Sequence, residues 1–318
     1  QTSAYGTSGI ATLGTSSSSI LPRASMFDTQ ERLLVAGGAA SGTAGWIYRV
    51  STAGIASAFT TGTAWQYISG LAQQSSGKII AVGFNGTNAQ IGRYTLAGVL
   101  DTTFGTSGLV ALDGSGLTLP TVTTGLVSVG IDANDCVYIA FIASSTGHSF
   151  TTNTAYLARL TVDGTLDTTW GTSGILSLTA LNSATSGLYI AQNQDGNFLV
   201  GAQVSSTVKV TGVTSSGGTI SGFTTFNSSS INADTFTITG LLTTSDDSIF
   251  IVGSDTTTKN MAVIRLVGAT GSLDQAFNTV GYNFFNLSSP DTTSTIQAGA
   301  IAPDGQLYTA GYQINSGT

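Results

Sequence analysis

Basic charge is what this 318-residue chain has least of: nine lysines and arginines stand against sixteen acids, for a net charge of −7. Neutralising phosphates requires clustered cations, so this balance excludes nucleic acid as a partner and electrostatic docking on anionic lipid. All charged residues together make up 8% of the chain, against roughly 25% in an average soluble domain. Cysteine occurs once, so no internal disulfide exists. Cys136 lies in Cys136-Val137-Tyr138-Ile139-Ala140, whose alternation reads as a strand and makes the thiol a small buried apolar group. With a single histidine, His148, in a Ser/Thr/Gly loop, a His/Cys metal site is excluded by number. No apolar run approaches the roughly 18 residues of a membrane-spanning helix. The opening residues from Gln1 carry no basic stretch followed by an apolar one, so no signal peptide is read there; a mature secreted protein would have lost one, so this does not bear on secretion.

What the chain does have is glycine, at 41 residues, together with serine, threonine and a 41% apolar fraction. β-Branched threonine suits a half-exposed pleated strand, and glycine and serine suit turns. The main signal is internal repetition. Gly98-Val99-Leu100-Asp101-Thr102-Thr103-Phe104-Gly105-Thr106-Ser107-Gly108 recurs as Gly164-Thr165-Leu166-Asp167-Thr168-Thr169-Trp170-Gly171-Thr172-Ser173-Gly174. Looser copies begin at Gly54, Gly218 and Gly271, and Tyr5-Gly6-Thr7-Ser8-Gly9 opens the chain in mid-motif.

Ahead of each copy stands a hairpin signal, with turns at Glu31, Gly77, Asp135, Gly196, Asp247 and Gly305. A third strand follows in most units, and a short fourth one follows the aromatic-glycine pair. Four strands in about 55 residues, used six times, predict an all-β, six-bladed β-propeller. The chain is read as one domain, 1–318, with repeats at about 24–64, 66–115, 122–180, 184–235, 237–288, and 292–318 plus 1–14. Residues 1–14 are expected to act as a closing strand in the last blade, which protects both edges. Even so, about 15 to 20 residues of that blade are unaccounted for. Other protein subunits, or a larger parent chain, are the expected partners completing it.

The pattern Arg159-Leu160-Thr161-Val162-Asp163-Gly164-Thr165-Leu166-Asp167-Thr168-Thr169-Trp170-Gly171 resembles the delta-60 repeat of bacterial propeller-like proteins. Arg93 to Gly108 fits it with Ala97 in place of the aspartate, and Arg265 to Phe277 fits with one inserted residue. The fourth unit lacks both the Arg and the Asp. The resemblance implies a secreted or surface protein, and it carries no catalytic residues across.

Arg49, Arg93, Arg159 and Arg265 share one repeat position. A guanidinium used in blade after blade reads as structural, either paired with the Asp of the Leu-Asp motif or forked onto carbonyls that link blades. Phe59, Phe104, Trp170, Phe277 and Tyr5 read as wedges between neighbouring blades. Asp132 with Asp135, and Asp246 with Asp247, are the nearest approach to paired carboxylates and read as turn residues. No nucleophile-elbow sequence accompanies His148. Catalytic, cofactor and metal residues are therefore expected to be none, with calcium a secondary candidate. Asn85-Gly86-Thr87, Asn227-Ser228-Ser229 and Asn286-Leu287-Ser288 fit the glycosylation pattern, at a frequency chance explains.

These readings lead to a non-enzyme: a structural or adhesive module of an extracellular, cell-surface or virus-like appendage, polymerising by strand addition. A carbohydrate- or protein-binding propeller is the alternative, with glycans as further partners and Ser144 to Thr154 and Asn227 to Asp234 lining its rim. A hydrolase comes third.

Overall fold

In the computed structural model, residues 7, 11–13, 20–39, 44–61, 65–113, 122, 127–143, 153–185, 187–231, 236–255, 257–285, 292–302 and 305–315 are described. His148, Tyr5 and most of the 1–14 closing strand lie outside them.

The strands come in successive groups. The first is β1 (Ile20–Phe27), β2 (Leu33–Ala39), β3 (Gly45–Val50) and β4 (Ala56–Thr61). The second is β5 (Tyr67–Gln73), β6 (Ile79–Phe84), β7 (Ala89–Tyr94) and β8 (Leu109–Leu112). The third is β9 (Ser128–Ile131), β10 (Val137–Ile142), β11 (Ala155–Leu160) and β12 (Ile175–Ser177). The fourth is β13 (Tyr189–Gln192), β14 (Phe198–Val204), β15 (Thr207–Val213) and β16 (Phe226–Asn227). The fifth is β17 (Phe236–Thr243), β18 (Ile249–Asp255), β19 (Asn260–Leu266) and β20 (Tyr282–Phe285). Then follow β21 (Thr292–Ile301) and β22 (Leu307–Asn315), which pair with each other. Among the described residues, the only helical segments are two short 3-10 turns.

Two compact units emerge, one of residues 1–152 and 158–167, the other of 153–157 and 168–318. In the first, β1 to β4 and β5 to β8 form antiparallel meanders joined by a single residue pair, Gly38 with Tyr67. In the second, β13 to β16 and β17 to β20 form two further four-stranded meanders. In the first five groups the second strand is buried along most of its length, as in Ile79–Phe84 and Ile249–Asp255, and carries apolar side chains on both faces. Leu34, Ile47, Trp65, Ile68 and Ile79 share one core cluster in the first unit. Phe236, Ile238, Ile249, Ile251 and Ile264 share one in the second.

All six expected hairpin turns are present, in one geometry. The fourth residue of each has positive φ: Glu31 58°, Gly77 83°, Asp135 62°, Gly196 75°, Asp247 60° and Gly305 83°. In each, that residue's amide donates to the carbonyl three residues back, as Gly77 does to Gln74 and Asp135 to Asp132. This is a turn of type I kind closed by one left-handed residue, rather than a primed turn with two. It tolerates Glu31, Asp135 and Asp247 because only one residue bears the left-handed cost.

Candidate functional site

Three of the four repeated arginines share one strand register. Arg49 pairs across the sheet with Leu34, Arg93 with Ile80 and Arg265 with Phe250, each one residue inside the second strand's start. Arg159 holds the same place in the sequence motif. In the fourth repeat the register position is Gly212, opposite Leu199. A Cβ there would meet Phe223 and Ile220, so the aromatic and the isoleucine occupy the arginine's space.

The aspartates of the Leu-Asp motif are the partners. Arg93 Nε lies 2.8 Å from Asp101, Arg159 Nη1 3.3 Å from Asp167, and Arg265 Nε 3.0 Å from Asp274. A second carboxylate comes from the hairpin turn: Asp132 at 3.1 Å from Arg159 and Asp246 at 2.9 Å from Arg265. Asp28, more loosely at 3.9 Å from Arg49, belongs chiefly to Arg32 at 2.7 Å. In the second repeat the turn offers Gln74 instead, and Lys78 reaches Asp101 at 2.8 Å. The Lys78 hydrogen bond, with further bonds from Thr103, outweighs burial and holds the Asp101 carboxyl well below the usual carboxylate range.

Arg49 and Arg93, to which the hairpin turn brings no close second carboxylate, have donors to spare, and these reach the next repeat. Arg49 Nη2 donates to the Leu96 carbonyl, and Arg93 Nη1 to the Val162 carbonyl at 2.6 Å. In the third repeat Trp170 does the equivalent, its Nε1 donating to the Ser215 carbonyl at 2.9 Å. Leu96, Val162 and Ser215 all sit second in a turn that ends in glycine. That glycine rests on the preceding repeat's aromatic. Gly164 has φ +83°, and a Cβ on it would lie 2.8 Å from the Phe104 ring; Gly271 has φ +69° and would meet the Phe223 ring at 2.8 Å. The wedge role of Phe59, Phe104 and Trp170 is therefore present, and all three are buried.

The paired-carboxylate candidates diverge. Asp132 turns to Arg159, whereas Asp135 reaches back to accept from the Ser75 amide and hydroxyl, both at 2.6 Å. Asp246 turns to Arg265, whereas Asp247 accepts from the Gln194 amide at 2.9 Å. Neither pair converges on a common point. Cys136 is not a simple apolar filler: it is half-buried, and its Sγ accepts from Arg159 Nη2 at 3.2 Å. Burial pushes its thiol up.

Arg265 differs from its counterparts. It opens on a cleft of 450 Å³ whose walls include Phe250, Phe277, Phe285, Asn283, Leu307 and Thr309. An adjoining 290 Å³ recess reaches Asp246, Ser245 and Gly305. The Asp246 side chain is 62% exposed, against 9% for Asp101. Thr244, then backbone and side-chain bonds from Ser248, lower its carboxyl, so it is ionised at neutral pH. Phe277 is only half-buried and meets Phe250 edge-on at 5.8 Å. Sequence reasoning treated Arg265 and Phe277 as equivalent to their repeats, because the motif around them is equivalent. Among the described residues no helix is long and apolar enough to cross a membrane, and no group of three His, Cys, Asp or Glu is placed to hold a metal ion.

Residues 141–169, which include all but the last two residues of the best copy of the repeat, match a family described as "Domain of unknown function (DUF5122) beta-propeller". No curated protein matches the chain in sequence. Among solved structures, the chain is similar to the hydrazine synthase of Kuenenia stuttgartiensis, at 10% identity and a TM-score of 0.54, over 93% of this chain and 83% of that one. It is similar to a luciferin-regenerating enzyme at 9% identity and 0.52, over 93% and 91%. A putative gluconolactonase aligns at 12% and 0.50, over 94% and 91%.

The fold is thus all-β, with four-stranded antiparallel sheets arranged as in six-bladed β-propellers. The expectation of a non-enzymatic structural, adhesive or filament-forming module is corrected here, because the three solved structures just named, which share this fold, are described as enzymes, one of them as a putative one. A propeller draws its site from separate repeats, so a missing contiguous catalytic motif is no argument against catalysis.

Proposed function

We propose that this chain is an enzyme-type propeller acting on a carbonyl-bearing substrate held in the Arg265 cleft. The observation supporting this reading is that one of four equivalent arginines faces open space beside an exposed, ionised carboxylate and an aromatic wall. A guanidinium so placed stabilises negative charge building on an acyl oxygen, in a site partly screened from water by Phe250, Phe277 and Phe285. Asp246 fixes the guanidinium's orientation; its lowered pKa makes it a better anchor than proton acceptor. Hydrolysis of an ester or lactone is the reaction class this arrangement suits, and a putative gluconolactonase shares the fold.

The proposal further assigns the repeat to the delta-60 type, places the protein outside the cell or at its surface, and gives it polypeptide partners. The hydroxyl-rich, lysine-poor composition supports the placement. The test is turnover of a panel of lactones and activated esters by the purified chain, compared with Arg265→Lys and Asn283→Ala. Turnover that falls at least tenfold in Arg265→Lys supports the reading; no turnover, or turnover unchanged in both variants, refutes it.

A further inference from the structure

The chain shows three times what an arginine or indole at this station binds. Arg49 takes the carbonyl of Leu96, Arg93 that of Val162, and Trp170 that of Ser215. Each acceptor is the second residue of a turn whose fourth residue is a left-handed glycine: Gly98, Gly164 and Gly217. A second donor is the amide just after the wedge aromatic. Gly105 N donates to the Asp163 carbonyl at 2.8 Å, and Thr224 N to the Thr270 carbonyl at 2.8 Å. The third element is steric. A Cβ on Gly98 would lie 2.0 Å from the Phe59 carbonyl oxygen, and one on Gly217 would lie 2.7 Å from the Gly171 amide. A side chain cannot be accommodated without moving backbone.

In the fifth repeat the same parts recur: Arg265 for the guanidinium, Asn278 for the amide after the aromatic, and Phe277 for the wedge. Arg265 and Phe277 border the 450 Å³ cleft, and Asn278 follows Phe277 directly in the chain. Its far wall, Leu307 and Thr309, belongs to β22.

We propose that the Arg265 cleft is a recognition site for a four-residue peptide turn ending in glycine, presented by a partner polypeptide that carries this same repeat. The turn's second carbonyl accepts from Arg265, its third from the Asn278 amide, and its glycine lies on Phe277. This deepens the reading of the cleft as a carbonyl-binding site and rests on it: the carbonyl is that of a peptide, and selectivity comes from the missing Cβ.

The experiment uses the whole chain and a labelled synthetic peptide with the sequence of residues 155–171, which holds the Thr161 to Gly164 turn. Fluorescence anisotropy should show saturable binding, at least tenfold weaker for the peptide carrying Gly164→Val. Thr309→Trp, an exposed change that fills the cleft, should weaken binding at least as much, with the thermal midpoint confirming that the variant is folded. Absence of binding, or equal binding of the Gly164→Val peptide, overturns the proposal. N-acetylglycine amide, tested as a competitor in the ester assay, separates the two readings. If it inhibits turnover while the peptide fails to bind, the peptide proposal falls and the carbonyl site stands; if neither acts and no ester turns over, both fall.

Discussion

The Arg93 and Arg265 stations are built from the same sequence motif, yet they are different objects. Arg93 is 1% exposed, held by Asp101, by the Thr103 hydroxyl and by the Val162 carbonyl, beneath which Phe104 is fully buried. Arg265 is 24% exposed, keeps Asp274 and the largely solvated Asp246, and looks into a cleft. The local ladder is common to both; what differs is whether a glycine turn sits on the aromatic. The repeat therefore encodes half of an interface, and the neighbouring repeat decides whether that half is structure or site.

The largest effect should separate these two arginines. Arg93→Ala strips a buried carboxylate of one of its two cations and leaves the Val162 carbonyl only the longer bond from Gln74, costing about 3 kcal/mol. Arg265→Ala breaks solvent-screened pairs and should cost about 1 kcal/mol or less. Urea unfolding of both variants measures the gap, and equal losses would show that the Arg265 station is as structural as the others.

Next come the glycines. Gly164→Val combines a left-handed backbone with a Cβ 2.8 Å from the Phe104 ring, and about 3 kcal/mol of destabilisation is expected. Gly305, also left-handed at φ +83°, has nothing within 4 Å of a built Cβ, so Gly305→Ala should cost only about 1 kcal/mol. A larger loss at Gly305 would contradict the argument that docking, rather than backbone strain alone, sets the cost.

Acid titration sharpens the comparison further. The folded carboxyl of Asp101 lies below its unfolded value of about 3.9, so its contribution is complete above that pH and is lost as pH falls toward the folded value. Asp101→Asn should flatten the decline in stability below about pH 4. Asp246→Asn should do so less, since its carboxylate is mostly solvated. Stability curves from pH 2 to 6 for the three proteins decide this.

The smallest effect concerns Cys136 at the Arg159 station. Burial raises its thiol, so alkylation by iodoacetamide at pH 8 should be several-fold slower in the native protein than in urea. Arg159→Ala removes the hydrogen bond and charge that lower the thiol and should slow the native rate further; a faster rate would show that access past the guanidinium, and not thiol ionisation, sets it.

Much of this fold was legible without coordinates, because its determinants are local. A left-handed residue at a hairpin, alternating strands and an aromatic-glycine pair declare themselves within a dozen residues, and all six turns appear where Glu31, Gly77, Asp135, Gly196, Asp247 and Gly305 announced them. The pairing of Arg93, Arg159 and Arg265 with Asp101, Asp167 and Asp274 was also legible, since each partner follows its arginine by eight or nine residues in a fixed motif. The fourth repeat was legible only as a loss; that Phe223 and Ile220 take the arginine's space over Gly212 required the packing.

The candidate site was not legible at all. Arg265-Leu266 through Phe277 reads like its siblings, and its openness depends on groups some forty residues away, Gln306 to Thr309, and on what does not fill the space between. By itself the sequence determined the repeat of strands, the turn positions and the aspartate open to each motif arginine, because these arise from dihedral preferences and short-range contacts. Only the tertiary structure decided which of four identical stations became a cleft, because that is a question of excluded volume between repeats, to which no short stretch of sequence has access.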